Sequence, residues 1–268
     1  MAMRKFTTNN GFGQWAHRMI SWSNGCPNDC LYCWARANAC RFKRKTPELW
    51  RYPVVDLAMV ERRWGALEGT TALPGTHDIT PRLLGSAIRL ISNLLAERNR
   101  LLIVTKAHYL CVKAICDYFQ VHPNVDCIEW RFTITTPDDG DRAYWEPGAP
   151  SIRERVYALA YAYAGGYRVS VNTEPLICNP RRVPELVGMV EPMLLRGTSS
   201  IWLGPLNRPK QRVIRDTEGR LERLLAVWEP SEWARLYEIY GADELIRWKN
   251  GAKRILGLPH DEPIGSDR

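Results

Sequence analysis

The chain has 268 residues and a formal net charge of +8 at pH 7, and 45% of its residues are hydrophobic and 25% charged. These proportions are ordinary for a globular protein of one large domain or two small ones. No run of about 18 apolar residues is present, so we expect no membrane-spanning helix. Residues 1–5 precede no apolar stretch, so we expect no signal peptide. A positive field attracts polyanions and speeds their encounter.

Strands and helices are predicted to alternate over the first three quarters of the chain. The predicted strands occupy residues 17–23, 71–79, 101–105, 127–135, 167–173 and 200–204. Helices are predicted between them at residues 34–42, 80–95, 107–121, 152–164 and 180–195. This alternation is typical of parallel βα units. Six units do not close an eight-stranded barrel, so the predicted fold is α/β, an open partial (β/α)6 TIM-type barrel.

The last quarter of the chain is predicted to be helical. We assign residues 1–204 to the barrel and residues 205–268 to a C-terminal helical extension packed on it. Helices are predicted in the extension at residues 218–228, 230–240 and 243–256, and the residues from 260 onward are expected to form a frayed tail.

Three cysteines stand together in the loop 25–34, directly after the first predicted strand. Cys26, Cys30 and Cys33 form a C-x3-C-x2-C run. Three thiolates at this spacing can hold an iron–sulfur cluster, and such clusters normally use four cysteines. A trio leaves one iron without a protein ligand, as a catalytic metal site keeps one position open. The loop follows a strand, and βα barrels place their active sites at the C-terminal ends of strands.

The run, including Tyr32 before its last cysteine, resembles the signature of the radical S-adenosylmethionine (SAM) enzymes. The resemblance implies that Cys26, Cys30 and Cys33 ligate a [4Fe-4S] cluster whose fourth iron binds SAM, with Tyr32 near the adenine. One electron from the cluster then cleaves SAM to methionine and a 5′-deoxyadenosyl radical, which abstracts a hydrogen atom from the substrate. The resemblance also implies the partial barrel fold and an electron donor such as flavodoxin or ferredoxin.

A structural zinc site closed by Cys40 as fourth ligand is the alternative. Zinc sites usually combine two separated C-x2-4-C pairs, and no second pair lies near this loop in the sequence. Free buried cysteines behave as small apolar residues, and we expect this of Cys111, Cys116, Cys127 and Cys178. A cluster motif, without the pattern of a disulfide scaffold, indicates the reducing cytoplasm.

Two predicted strands carry their polar residues on one face. In residues 129–135 the polar positions are odd and the large apolar positions even, and in residues 168–174 the polar positions are even. A period of two puts each polar set on a single face. A barrel interior that served stability alone would be filled by branched apolar residues. A polar interior therefore indicates that the barrel binds a ligand, and a strand with one solvated face is the alternative.

Five short segments resemble the spore photoproduct lyase branch of the radical SAM enzymes, in the same order along the chain. They are residues 104–106, 132–135, 150–155, 166–167 and 174–177. This lyase breaks a methylene bridge between two thymines in DNA. By position, the resemblance implies that Lys106 and a hydroxyl residue on the fourth strand, Thr133 or Thr135, contact SAM.

The same resemblance places further residues in the cofactor site. His77 falls where the branch has a SAM-binding serine, and Thr76 stands beside it. On chemistry alone, Lys106 can pair with the methionine carboxylate, and a threonine or Asn172 can hold the ribose hydroxyls. Glu174 can do the same or meet the substrate. The alternative for Lys106 is a surface lysine at the end of a strand.

The chain departs from the lyase pattern at two places. The lyase has a cysteine just before its SAM-binding serine that returns a hydrogen atom to the product radical, and here Gly75 and Thr76 occupy that neighbourhood. The lyase also has a tyrosine pair after the last cluster cysteine, where this chain has Trp34 and Ala35. These departures indicate a changed substrate, and Gly75 is expected to make room for a larger one.

Basic residues crowd the segment that follows the cysteine loop. These residues are Arg41, Lys43, Arg44 and Lys45. Their functional interpretation is a rim beside the active site that contacts phosphate, and the alternative is a solvated face. We therefore expect a radical SAM enzyme that acts on a nucleic-acid base or modified nucleotide, by base modification, rearrangement or lyase-type repair. The alternatives are a radical SAM enzyme on a small molecule or peptide, and an iron–sulfur or zinc protein that only binds nucleic acid.

Overall fold

One eight-stranded sheet forms the centre of the protein. The computed structural model describes residues 3–8, 11–213 and 215–266. Within them the strands are β1 (Met3–Lys5), β2 (Arg18–Ile20), β3 (Ser23–Asn24), β4 (Val54–Val55), β5 (Thr70–Leu73), β6 (Arg100–Thr105), β7 (Ile128–Thr133), β8 (Arg168–Asn172), β9 (Ile201–Leu203) and β10 (Ile246–Trp248). The sheet order is β1-β2-β5-β6-β7-β8-β9-β10, and β3 pairs separately with β4.

All neighbours in the sheet are parallel except β1, which runs antiparallel to β2 at one edge. In the described part of the chain β1 and β10 have one neighbour each, so the sheet does not close. The predicted open partial (β/α)6 TIM-type barrel is confirmed in its parallel βα units and its open edge. The sheet has one more parallel strand, β10, than the six predicted.

Helices cover the outside of the sheet. They are α1 (Trp34–Arg41), α2 (Leu57–Glu61), α3 (Leu84–Leu95), α4 (Tyr109–Phe119), α5 (Asp139–Trp145), α6 (Ile152–Ala164), α7 (Val183–Val190), α8 (Pro209–Arg212), α9 (Arg220–Val227), α10 (Pro230–Tyr240) and α11 (Asn250–Leu256). In the described residues, no helix combines the length and the apolar character that a bilayer crossing requires.

Alternate side chains of β7 and β8 lie on opposite faces of the sheet, one in the hydrophobic core and the other in the interior of the barrel. Trp130, Phe132 and Val171 are fully buried in the hydrophobic core between sheet and helices. Burying one such side chain contributes about 1.5–3 kcal/mol. The intervening polar residues point to the other side, where Arg131 Nε donates to Ser170 Oγ at 2.9 Å. The predicted polar interior is therefore confirmed for these two strands.

The segment after residue 204 differs from the predicted helical extension. Residues 243–256 were expected to form one helix, but Ile246–Trp248 is a strand parallel to β9. Ile246 and Trp248 are buried on either side of the exposed Arg247, a period of two that suits the open edge of the sheet. Residues 260–266 contain no helix or strand, as expected for the tail, although the Gly265 amide donates to the Gly13 carbonyl at 2.9 Å. Residues 267–268 lie outside the described residues.

Candidate active site

The cysteine loop connects β3 to α1 and is held by backbone contacts. The Cys26 amide donates to the Trp50 carbonyl at 2.9 Å, and the Cys33 amide donates to the Cys30 carbonyl at 3.1 Å. Gly25 has a φ of +111°, and a Cβ on it would lie 2.7 Å from the Trp50 carbonyl oxygen. Only glycine tolerates both the backbone conformation and the close approach at this position.

A buried ion pair ties the loop to the helix that follows it. Arg36 on α1 donates to Asp29 Oδ1 at 2.9 Å and to the Leu31 carbonyl at 2.7 Å. Arg215 donates to the same carboxylate oxygen at 2.7 Å. Both Asp29 and Arg36 are buried, so the charges stabilise each other and fix the path of the loop between the cysteines.

The three cysteines line one cavity. Burial raises the pKa of Cys30 to about 12, and burial also raises the pKa of Cys26 well above its ordinary value. Metal ligation requires thiolates, so loading this site releases protons. Cys33, which also lines the cavity, accepts a hydrogen bond at 3.4 Å from the amide of Arg36.

Cys40, the fourth ligand of the zinc alternative, stands apart from the cysteine loop. It lies on α1 and does not line the cavity that Cys26, Cys30 and Cys33 share. Across residues 3–8, 11–213 and 215–266, no three His, Cys, Asp or Glu side chains are grouped around the position of a single ion.

The cavity has a volume of about 790 Å³, within the range of about 300–1,000 Å³ that is common for ligand sites. It opens at the C-terminal ends of the parallel strands, as barrel sites do. Ten of the residues predicted for the site line it: Cys26, Cys30, Tyr32, Cys33, Thr76, His77, Lys106, Thr133, Asn172 and Glu174.

Thr135 is the predicted cofactor residue that the structure places elsewhere. It lies two residues beyond the end of β7. Its hydroxyl is fully buried and donates to Glu146 Oε1 at 3.0 Å. Of the two threonines predicted as alternatives, Thr133 alone lines the cavity.

Buried Glu146 gathers several groups behind the cavity wall. It accepts hydrogen bonds from the hydroxyl of Tyr32 and from Arg155, and Lys106 Nζ lies 3.9 Å away. Burial alone would raise the pKa of Glu146, but Arg155 and Lys106 together hold it below its usual range. Burial likewise opposes the charge of Lys106, but attraction by the ionised form of Cys30 and by Glu146 outweighs burial and raises the pKa of Lys106. While Cys30 is protonated, Glu146 is the neighbouring anion that stabilises the charged lysine.

Asp78 is a second buried carboxylate that organises the cavity wall. Its carboxylate accepts from Asn28 Nδ2 at 2.8 Å, from Thr105 Oγ1 at 2.5 Å and from the Lys106 amide at 2.9 Å. These bonds join the cysteine loop to the ends of β5 and β6. The backbone that carries Lys106 is thus fixed by a residue on the neighbouring strand end.

Polar atoms without protein partners point to a bound ligand. Both ring nitrogens of His77 and the hydroxyl of Thr76 are buried and make no hydrogen bond within the described residues. Burial lowers the pKa of His77 to about 3, so its imidazole is neutral. Buried polar atoms normally have partners, and these atoms belong to residues that line the cavity.

No protein-family model matches the chain, and no curated protein matches it. Solved structures do. A spore photoproduct lyase complexed with dinucleoside spore photoproduct is 19% identical, with a TM-score of 0.51, over 76% of this chain and 63% of the lyase chain. A lyase mutant with bound AdoMet and dinucleoside spore photoproduct is 18% identical, with a TM-score of 0.54, over 81% and 64%. The chain has the fold of spore photoproduct lyase.

The match to the lyase fold is partial in length. The chain spans just under two thirds of each of these lyase chains. Streptococcus suis SuiB, in a crystal structure bound to precursor peptide SuiA, also matches, with 13% identity and a TM-score of 0.53 over 89% of this chain and 50% of SuiB.

Gly75 lines the cavity and packs closely against β2 and the loop after it. A Cβ on Gly75 would lie 2.6 Å from Met19 Sδ and 2.9 Å from Ser21 Oγ. A larger residue at this position would therefore have to displace these two side chains. That Gly75 makes room for a larger substrate stays a prediction.

The predicted phosphate rim lies outside the cavity. Arg41 and Arg44 flank the ring of exposed Phe42, at 5.6 and 5.5 Å from its centroid. Lys45 donates to the Leu49 carbonyl at 3.3 Å and to the Tyr52 carbonyl. None of the four rim residues, Lys43 included, lines the cavity. A role in binding nucleic acid beyond the cavity stays a prediction, and Lys45 is already engaged by backbone.

Proposed function

We propose that the protein is a radical SAM enzyme that abstracts a hydrogen atom from a nucleic-acid base or modified nucleotide. The observation that carries the proposal is the meeting of Cys26, Cys30 and Cys33 in one cavity, at the strand ends of a lyase-like barrel. Base modification, rearrangement and lyase-type cleavage all begin with such an abstraction. A flavodoxin or ferredoxin donor and a cytoplasmic setting belong to the same proposal.

The residues present fit a [4Fe-4S] cluster and SAM. Three cysteines supply three thiolates, and no further cysteine of the described chain lines the cavity to close the fourth iron. When bound, the cluster would supply the electron that cleaves SAM to a 5′-deoxyadenosyl radical. The buried, unpartnered atoms of Thr76 and His77 leave donors and acceptors for the polar parts of SAM.

The chain's own side chains would orient SAM from three directions. Lys106, whose charge is stabilised by Glu146, suits the methionine carboxylate. Thr133 and Asn172 are paired across β7 and β8 and both line the cavity, so they suit the ribose hydroxyls. Tyr32 offers an aromatic surface for adenine, and its hydroxyl is fixed by Glu146.

The substrate proposal has separate support. Two of the lyase structures contain a dinucleoside photoproduct, and a net charge of +8 favours a polyanion. If the target base lies in a duplex, the enzyme must turn it out of the stack, at a cost of a few kcal/mol.

Anaerobic reconstitution with iron and sulfide tests the function directly. We expect a brown protein that releases 5′-deoxyadenosine when given dithionite and SAM. Mass spectrometry of nucleosides from DNA treated with the reconstituted protein is then expected to show a base of altered mass, absent when SAM is omitted. A colourless protein without SAM cleavage would contradict the enzyme proposal, and SAM cleavage with unaltered nucleosides from both DNA and RNA would contradict the substrate.

Replacing Lys106 with alanine is expected to weaken SAM binding about tenfold or more, because a hydrogen bond between charged groups contributes about 1.5–3 kcal/mol. Iron content is expected to stay unchanged, since the lysine is not a ligand. The measurement is SAM affinity by equilibrium dialysis alongside an iron assay. Lys113→Ala removes an exposed lysine paired with Asp117 on α4 and is the matched control. Equal loss of iron in Lys106→Ala would show that the lysine is structural.

A peptide substrate is the second candidate, because SuiB shares the fold and was crystallised with its precursor peptide. The nucleic-acid substrate is the stronger of the two because a net charge of +8 favours a polyanion.

A further inference from the structure

Two arginines from the segment after β9 stand at the mouth of the cavity. Arg208 and Arg212, at the two ends of the short helix α8, both line it. Arg212 is half buried and Arg208 is exposed. Neither guanidinium makes a hydrogen bond or an ion pair with any described residue, although Glu174 is near enough to attract Arg212.

The position of these arginines is built into the fold. Leu206 and Val213, on either side of the pair, are buried in one cluster with Cys30 and Tyr32 of the cysteine loop. Gly251 allows a close approach, because a Cβ there would lie 2.8 Å from Pro205 Cγ. The segment is therefore anchored beside the cysteine loop, and packing holds the backbone that bears the two arginines in place.

The acidic side chains of the cavity are engaged by groups other than these two arginines. Among the described residues, the lining includes five basic side chains, Arg4, Lys106, Arg208, Arg212 and Arg254, and two acidic ones, Asp78 and Glu174. Asp78 accepts four hydrogen bonds, from the side chains of Asn28 and Thr105 and from the amides of Ile79 and Lys106. Glu174 lies 3.2 Å from Lys249 Nζ and accepts from Asn207 Nδ2. Neither carboxylate forms an ion pair with Arg208 or Arg212.

We propose that Arg208 and Arg212 bind a phosphate of the substrate next to its reacting group. A guanidinium presents a planar fork of donors that matches phosphate oxygens in a bidentate manner. This inference rests on the proposed function and narrows it, because it selects nucleotides and phosphodiesters over free bases, nucleosides and uncharged small molecules.

The test compares two rhodamine-labelled thymidine dinucleotides, one with a natural phosphodiester and one with an uncharged methylphosphonate link. The binding of each to the reconstituted protein is followed by fluorescence anisotropy. The double variant Arg208→Gln and Arg212→Gln is expected to weaken binding of the phosphodiester by about tenfold. It is also expected to leave the methylphosphonate unchanged and to flatten the salt dependence of phosphodiester binding.

A charge-matched control separates the site from the general field of the protein. Arg89→Gln with Arg153→Gln removes two exposed positive charges on α3 and α6, outside the cavity, and is expected to change binding less than twofold. Equal weakening by both double variants, equal loss of both probes, or weaker SAM binding in the mouth variant would each overturn the inference. SAM cleavage by the same preparations is scored separately, so a failure of the proposed function is recognised independently.

Discussion

Replacing Cys30 with alanine is expected to leave the reconstituted protein colourless and to reduce 5′-deoxyadenosine formation to background. The reason is that the cavity wall offers only three thiols, so the loss of one leaves too few ligands to hold a cluster. Iron and sulfide assays, the visible absorption spectrum and chromatography of the reaction products measure the effect. The substitution replaces a buried thiol with a smaller methyl group, so it introduces no steric clash.

Cys40→Ala is the matched control for that experiment, because Cys40 lies close in sequence and does not line the cavity. It is expected to keep its iron and its SAM cleavage. If Cys40→Ala lost metal as completely as Cys30→Ala, and the wild type bound one zinc ion, the cysteines would form the closed structural site. The pair of variants therefore separates the two interpretations of the motif.

Local spacing was enough to predict the cysteine loop and the polar walls. The three cysteines lie within eight residues, and the walls follow from a period of two within β7 and β8, so neither prediction needed a contact between distant parts of the chain. Thr133 and Asn172 lie inside their strands and line the cavity. Thr135 stands two residues past the end of β7 and bonds to Glu146 instead.

The groups that support the site could not be found in this way. Glu146 lies 114 residues from Tyr32 along the chain, and Asp78 lies 50 residues from Asn28. A single buried carboxylate carries no pattern in the sequence until the fold brings its partners together. The one available signal was Arg155, which belongs to a segment that resembles the lyase, and a buried arginine needs an acidic partner.

Charge along the sequence was a poor guide to charge in space. The dense run that includes Arg41 and Arg44 forms an exposed face beside Phe42. The basic residues that line the cavity come from positions far apart in sequence, such as Arg4, Lys106 and Arg208. The same limit applies to β10, whose pairing with β9 decides the structure of Ile246–Trp248.

Removing the carboxylate of Glu146 is expected to destabilise the protein strongly. In Glu146→Ala, Arg155 would keep a fully buried charge without its ion-pair partner, and the hydroxyls of Tyr32 and Thr135 would lose an acceptor. Breaking a buried pair from one side typically costs about 3–5 kcal/mol. The measurement is urea unfolding of the protein at pH 7, where the depressed pKa of Glu146 keeps the wild-type carboxylate ionised.

Two further variants decide whether the charge of Glu146 or its hydrogen bonds matter most. Glu61→Ala breaks the exposed pair with Arg89, so it is expected to cost about 1 kcal/mol or less. Glu146→Gln keeps an acceptor for Tyr32 and Thr135 but removes the negative charge, so its loss of stability is expected to lie between those of Glu61→Ala and Glu146→Ala. A Glu146→Gln protein as stable as the wild type would show that Arg155 and Lys106 do not need the carboxylate. A separate expectation is that Glu146→Gln binds SAM more weakly than the wild type. The reason is that Lys106 would lose the carboxylate that helps to hold it charged and in place.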